Sequence, residues 1–299
     1  MNKESISVII TTYERSEMFK PDNFLIKRAI QSVLDQTLKS EEIIIIVDGK
    51  SRYITSIVEE FNREDIIKIV QTQDKVGGNE ARNIGIRAAT GDIIALLDDD
   101  DEWLPEKLNK QILLYKSISE EQKIIFSPMY FGESKDNVSQ ISPYEVNENI
   151  ANYVLERKGA IQTSTLLAPK KLFLDYPFTK NLVKHQDWDL IFRLAFSTTT
   201  KFYQTSDPLI YCHLDAVKGL SVSRKVHPVF SLNWINQYRN QISKEGYRDF
   251  VWANVVSCLF KSKVDSQTKN KIIKILGFHN VLMIVLFKIK QKILRTKTF

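Results

Sequence analysis

From Ile6 to Leu97 the chain alternates between short, mostly apolar runs and stretches whose apolar residues return at helical spacing. The runs Ile6–Ile10, Ile43–Val47, Ile66–Val70 and Ile93–Leu97 read as strands; Ile43–Val47 and Ile93–Leu97 are apolar throughout, as in strands covered on both faces, while Ser7 and Lys68 interrupt the other two. Between them, Leu25/Ile26, Ala29/Ile30 and Val33/Leu34 predict an amphipathic helix to about Gln36. Ile54, Ile57/Val58 and Phe61 predict a second helix, and Ala81, Ile84 and Ala88 a third, opened by Gly77 and Gly78 and closed by Gly91. Strand and helix in strict alternation predict an α/β fold, a mostly parallel central sheet with helices on both faces. The polar stretch Thr11–Arg15 is expected as a loop at the carboxyl end of the first strand.

Beyond Pro105 the pattern changes. Leu108, Ile112 and Tyr115 mark a helix, Lys123–Phe131 a strand, and Gly132–Pro143 a polar loop. Ile150, Tyr153 and Val154 suggest a short helix, Ser164–Ala168 a strand, and Asp175–Phe178 a turn. A helix begins near His185 and runs through Ile191 and Leu194; Lys201–Leu214 reads as extended with a break at Pro208. From His227 onward the chain reads as helical. The expected organisation is one domain over residues 1–225, split into halves at 105/106, and a basic helical extension over 226–299.

The fourth apolar run ends in Asp98, Asp99, Asp100 and Asp101, followed by Glu102. Adjacent carboxylates at the end of a buried strand repel one another, and a cation relieves that repulsion. Ligands of open α/β sheets bind outside the carboxyl ends of the strands. Hard oxygen donors there suit Mg²⁺ or Mn²⁺. An EF-hand loop counted from Asp98 would need Gly where Trp103 stands. A solvated acidic turn is the plain alternative. Trp103 and Pro105 also read as the start of the next helix, with Asp101 near its N-cap.

Two phosphate-binding patterns fail. Gly49-Lys50-Ser51 resembles the end of a P-loop, but its required upstream glycine is Ile44. No Gly-x-Gly-x-x-Gly follows the first strand, which argues against a Rossmann dinucleotide site.

With 299 residues, 43% hydrophobic and 26% charged, the chain has the length and composition for a large globular core. A formal net charge of +6 favours an anionic partner: a nucleotide, an acidic membrane surface or nucleic acid. Cys212 and Cys258 are the two cysteines, too few for a disulfide framework, and neither belongs to a zinc-type cluster. The first residues do not read as a signal peptide, and the longest apolar run, Val281–Phe287, is too short to span a bilayer. A cytoplasmic location, with peripheral contact at the inner membrane, is the expectation. Leu282, Val285/Leu286, Ile289 and Ile293 form an apolar stripe beside Lys288, Lys290, Lys292, Arg295 and Lys297. Such a helix suits an anionic membrane surface; packing on the core is the alternative.

Five segments together resemble the family 2 glycosyltransferases of GT-A fold, as in bacterial enzymes that build surface polysaccharides. They are Ser7–Tyr13, Ser32–Thr37, Ala81–Asn83, Leu97–Pro105 and Gln186–Leu190, in family order across residues 5–215. The resemblance implies an inverting, metal-dependent transferase with a UDP-sugar donor and a saccharide or lipid-linked saccharide acceptor, and no nucleic acid partner. Carried over by position, Thr11, Tyr13 and Arg15 line the nucleotide pocket, with Tyr13 against the base. Asp48 meets the uracil edge, Arg82 lies near the donor, and Asp98–Asp100 form the Asp-x-Asp element. Asp99 lies near the ribose, Asp100 holds Mn²⁺ or Mg²⁺, and Asp187 is the general base. Two departures stand out: Asp48-Gly49-Lys50-Ser51 replaces an Asp-Asp-Gly-Ser loop, and Gln186 replaces the glutamate of a Glu-Asp pair.

Each of these residues also has a plainer role open to it. Tyr13 suits packing on the sheet edge, Asp48 capping of the next helix, and Arg82 an exposed helix surface. Asp187 suits an N-cap, with Trp188 in the core and Asp189 facing solvent. His185 and His213 read as structural or exposed. A nucleotidyltransferase, or a non-catalytic anion- or membrane-binding protein on the same fold, is the competing function.

Overall fold

The structure, a computed structural model, describes residues 4–15, 25–132, 136–140, 142–213, 227–260 and 264–296, with side chains to 289. The chain divides into two compact units, Met1–Leu220 and Ser221–Phe299.

In the first unit, β1 (Ile6–Thr12), β2 (Glu42–Val47), β3 (Ile67–Gln71) and β4 (Ile93–Asp98) form the predicted parallel set. Their connections are α1 (Leu25–Leu34), α2 (Arg52–Glu59) and α3 (Gly78–Ala88). β2 is buried at every position and β4 at all but its last, as their unbroken apolar runs require. Gly85 brings α3 close to the sheet: a Cβ there would lie 2.5 Å from Ile9 Cγ2 and 3.2 Å from Ile46 Cγ1. α2 is capped by Ser51, whose side chain accepts from the Ile54 N–H, so Asp48 is not its cap.

The seven-stranded sheet runs β3-β2-β1-β4-β8-β6-β9. Its second half contains β6 (Lys123–Phe126), β8 (Leu167–Pro169) and β9 (Lys201–Gln204), and β8 is antiparallel to both neighbours. A separate three-stranded sheet, β5-β10-β7, is built from Asp101–Trp103, Ile210–Cys212 and Tyr130–Phe131. Helices α4 (Lys107–Lys116), α5 (Ile150–Leu155), α6 (Lys170–Asp175) and α7 (Gln186–Ser197) complete this unit among the described residues.

Several sequence expectations are corrected. Thr11 and Thr12 extend β1 instead of starting a loop. Asp101–Trp103 is a strand and not a helix start: it pairs antiparallel with Ile210–Cys212, and Trp103 Nε1 donates to the Ser164 carbonyl at 3.0 Å. The expected strand Lys123–Phe131 is two strands in different sheets, and the expected strand Ser164–Ala168 begins as the 3-10 turn Thr163–Thr165. The Asp175–Phe178 turn follows α6, which the pattern did not announce.

The second unit contains α8 (Pro228–Asn236), α9 (Lys244–Val251), a π-helical turn Trp252–Val256, α10 (Ser257–Leu259), α11 (Ser266–Leu276) and α12 (Phe278–Thr296). Gly277, at φ +79°, joins α11 to α12, and their axes differ by 93° up to Ile289. Among the described residues no single helix is long and apolar enough to cross a membrane, though this bent pair has the length and composition to do so jointly.

Candidate active site

The four consecutive aspartates leave β4 in four different electrostatic settings. Asp98 is in register with Thr11 of β1, and its backbone N–H donates to Ser164 Oγ at 3.0 Å. Its carboxylate, about a third exposed, takes Arg82 Nη2 at 2.7 Å. Asp99 is buried and compensated: Thr12 Oγ1 donates to it at 2.5 Å, and Arg15 grips both oxygens at 2.7 and 2.8 Å. Asp101 turns into the interior, where Ser164 Oγ donates at 2.5 Å and Cys212 lies beside it. Burial and its acidic neighbours push Asp101 well above the usual carboxylate range.

Asp100 differs from the other three. Its carbonyl accepts from Arg28 Nη2 at 2.6 Å, but its carboxylate takes no side-chain hydrogen bond among the described residues. Burial, then the charges of Asp99 and Asp98, push this carboxyl up to about 7, with Arg15 offsetting part of the rise. A crowded carboxylate with hard oxygen donors fits a divalent cation. No cluster of three candidate ligands is assembled among the described residues. His213 Nε2 lies 2.9 Å from Glu102 Oε2 on the small sheet's margin.

The carboxyl ends of β1 and β2 carry the other predicted donor-side residues. Tyr13 has the Arg15 guanidinium 4.1 Å and the Lys75 ammonium 4.9 Å from its ring centre. Asp48 uses one oxygen for the Val76 N–H at 2.6 Å and the other for the Gly77 N–H at 3.0 Å. It therefore braces the turn before α3, where Gly77 takes φ +82°. Gly49, at φ +90°, donates its N–H to Thr72 Oγ1.

Arg82 connects the acidic corner to the start of α7. It is buried on the site side of α3, not on an exposed helix surface. Besides Asp98, it donates to Gln186 Oε1 at 3.0 Å and Asn79 Oδ1 at 3.3 Å. Asn79 and Asn83 fasten the chain before α7 by bonding the Thr179 and Phe178 backbone.

Asp187, in the first turn of α7, accepts from the Trp188 N–H at 2.9 Å. Burial pushes its carboxyl up to about 6; the Trp188 N–H and Arg82 oppose the rise, and Asp98 adds to it. Trp188 is half-buried, its ring stacked between His185 and Phe192, so it is not the core residue expected. Burial and nearby Lys184 lower His185 to about 3. Asp189 does not face solvent: it is buried, accepting from Thr179 Oγ1 at 2.6 Å and Arg193 Nε at 2.9 Å. The structure thus brings Arg15, Arg82 and Asp98–Asp100 into one corner, with Asp187 held against it through Gln186. Sequence reasoning missed Thr12, Asn79, Asn83 and Ser164, although Thr12 and Asn83 lie within the segments Ser7–Tyr13 and Ala81–Asn83.

A parallel sheet with an acidic corner at its carboxyl ends, followed by a mixed half-sheet and a carboxylate-bearing helix, defines the GT-A transferase fold. Residues 7–180 match the model of glycosyl transferase family 2, and the chain belongs to that family. It is a glycosyltransferase. The amylovoran biosynthesis glycosyltransferase AmsB of Erwinia amylovora is 30% identical over 258 residues, covering 82% of this chain and 81% of that protein. The Escherichia coli UDP-Glc:alpha-D-GlcNAc-diphosphoundecaprenol beta-1,3-glucosyltransferase WfaP is 33% identical over 192 residues, covering 60% and 70%. Among solved structures, residues 1–349 of S. aureus TarS in complex with UDP-GlcNAc align with a TM-score of 0.66 and 16% identity, covering 91% of this chain and 80% of that one. That likeness bears on fold alone.

Proposed function

We propose that this chain is an inverting, divalent-metal-dependent glycosyltransferase that moves a sugar from a UDP-linked donor to a hydroxyl of a saccharide or lipid-linked saccharide. The observation that carries the reading is the Arg82 bridge: one guanidinium joins Asp98 of the acidic corner to Gln186, the residue before Asp187. Donor-side and acceptor-side chemistry thereby share one wall. Residues 1–105 supply the donor side in this reading, and residues 106–225 the acceptor side.

Asp100 would hold Mn²⁺ or Mg²⁺ with Asp98 beside it, and the bound ion would neutralise the leaving diphosphate as a Lewis acid. The ring of Tyr13 lies against the base, Thr11 lines the pocket, and Arg15 keeps Asp99 oriented toward the ribose. Asp48 meets the uracil edge with lone pairs beyond those engaged by Val76 and Gly77. Asp187 takes the proton from the attacking acceptor hydroxyl. Direct attack by that hydroxyl on the anomeric carbon inverts its configuration. The UDP-Glc named for WfaP supports a UDP-linked donor here.

The test is UDP release from UDP-glucose and UDP-N-acetylglucosamine with Mn²⁺, with and without saccharide acceptors. Release that stops in EDTA and in Asp187→Asn supports the proposal. Full activity in excess EDTA would remove the metal, and competition by GDP or CMP equal to that by UDP would remove the uracil contact. Pyrophosphate release from a nucleoside triphosphate would instead favour nucleotidyl transfer.

A further inference from the structure

The charge of this chain is divided unevenly. Of its 42 Lys and Arg and 36 Asp and Glu, 15 and 3 fall in residues 221–299, leaving 27 and 33 in residues 1–220. The C-terminal unit therefore carries +12 and the first unit −6. From Ser266 to the end there are eight basic residues and no acidic one.

Helix α12 in that basic unit is apolar on two sides. One side is satisfied internally: Val281 and Ile284 are buried, and Lys288 Nζ pairs with Asp249 at 2.5 Å. The other side presents Phe278, Leu282, Leu286 and Ile289, spaced by three or four residues and 44–71% exposed. Met283 adds to its edge at 51% exposure. Docking on the unit's own core explains the first side and leaves the second uncovered. The stripe of Val285/Leu286 expected from sequence is divided, with Val285 half-buried and Leu286 outward. The expected contributions of Lys290, Lys292, Ile293 and Arg295 concern side chains outside those described, and Lys297 lies outside the described residues.

Contiguous exposed apolar surface on a soluble unit marks an interaction site. The unit that carries it is strongly cationic in sequence, which complements a surface that offers both negative charge and hydrocarbon. The stripe from Phe278 to Ile289 is about 16 Å long, roughly half the hydrocarbon thickness of a bilayer. It is too short to cross and long enough to lie along the interface.

We propose that α12 seats its Phe278–Leu282–Leu286–Ile289 stripe in the surface of an anionic lipid bilayer, parallel to the membrane plane. The basic residues of the unit supply electrostatic attraction to the headgroups, and the stripe supplies the hydrophobic part. This placement does not depend on the donor or the chemistry assigned above.

The full chain is sedimented with vesicles of phosphatidylcholine mixed with phosphatidylglycerol, and with vesicles of phosphatidylcholine alone. The same is done for the triple variant Leu282→Glu, Leu286→Glu, Ile289→Glu, whose changes lie at exposed positions. Its thermal midpoint, expected to match that of the unchanged chain, reports that it folds. The expected result is binding to the mixed vesicles, weakened by salt, and about a tenfold or greater loss of partition in the variant. Equal partition of chain and variant, or equal binding to both vesicle types, overturns the proposal. Resistance to alkaline carbonate extraction overturns it in favour of insertion by the bent α11–α12 pair. Self-association that the substitutions abolish, without vesicle binding, assigns the stripe to a second copy of the chain and also overturns it.

Discussion

Replacing Asp187 with asparagine is expected to cost activity and raise stability at once. The carboxyl sits at about 6 in the folded chain, against about 4 for an unperturbed aspartate. The folded chain therefore keeps this proton at pH values where the unfolded chain has lost it. Stability declines as pH rises from about 4 to about 6, and remains lower above that window. A difference of about two pH units corresponds to about 3 kcal/mol. Asp187 is only half-buried, and solvent screening reduces the expected gain to about 1–2 kcal/mol. Asparagine keeps the shape without the charge, so Asp187→Asn should melt a few degrees higher than the unchanged chain near pH 8. Turnover should fall by about 10²–10⁴-fold, with calorimetric UDP affinity little changed. The unchanged enzyme's kcat/KM should rise with pH through an apparent value of about 6, and the variant's profile should lose that limb. Near-normal turnover in Asp187→Asn, or a lower melting midpoint near pH 8, refutes the reasoning.

Three further outcomes follow from neighbouring contacts. Asp100→Ala is expected to abolish the Mn²⁺-dependent part of UDP binding in calorimetry without lowering the midpoint of the unliganded chain, since it removes a crowded charge with no side-chain hydrogen bond to lose. Asp189→Ala, by contrast, strips Thr179 and Arg193 of a shared acceptor and should cost about 2–3 kcal/mol in denaturant unfolding. Gly85→Ala places a methyl 2.5 Å from Ile9 and should lower stability by about 1–3 kcal/mol in the same assay.

The parallel half of the fold was legible because each strand there is a largely apolar run and each helix a periodic one. Local pattern therefore determined β1–β4 and α1–α3 to within two residues at most ends. The second half resisted because its strands are two to four residues long and find partners far along the chain. Trp103 reads as a helix start until Ile210 is known to lie beside it. The acidic corner was visible as four carboxylates, but not how they divide. Thr12 and Arg15 reach Asp99 across 87 and 84 residues, a separation that no periodicity encodes. Asp189 failed for a related reason: its helix position says nothing of Thr179, which reaches it from the preceding loop.

The small sheet also sets the order in which this protein can be built. β1, β2, β3 and β4 join neighbours within one continuous segment, so this parallel set can condense while later residues are still emerging. Asp101–Trp103 has to wait for Ile210–Cys212, made over a hundred residues later, and Asp101 waits with it for Ser164. Contacts of such long sequence separation form late because loop closure precedes any reward. The nascent chain therefore carries Asp101 and Trp103 without their partners until most of the first unit has been synthesised. Competence for chemistry is acquired near the end of folding, after the scaffold beneath it has formed.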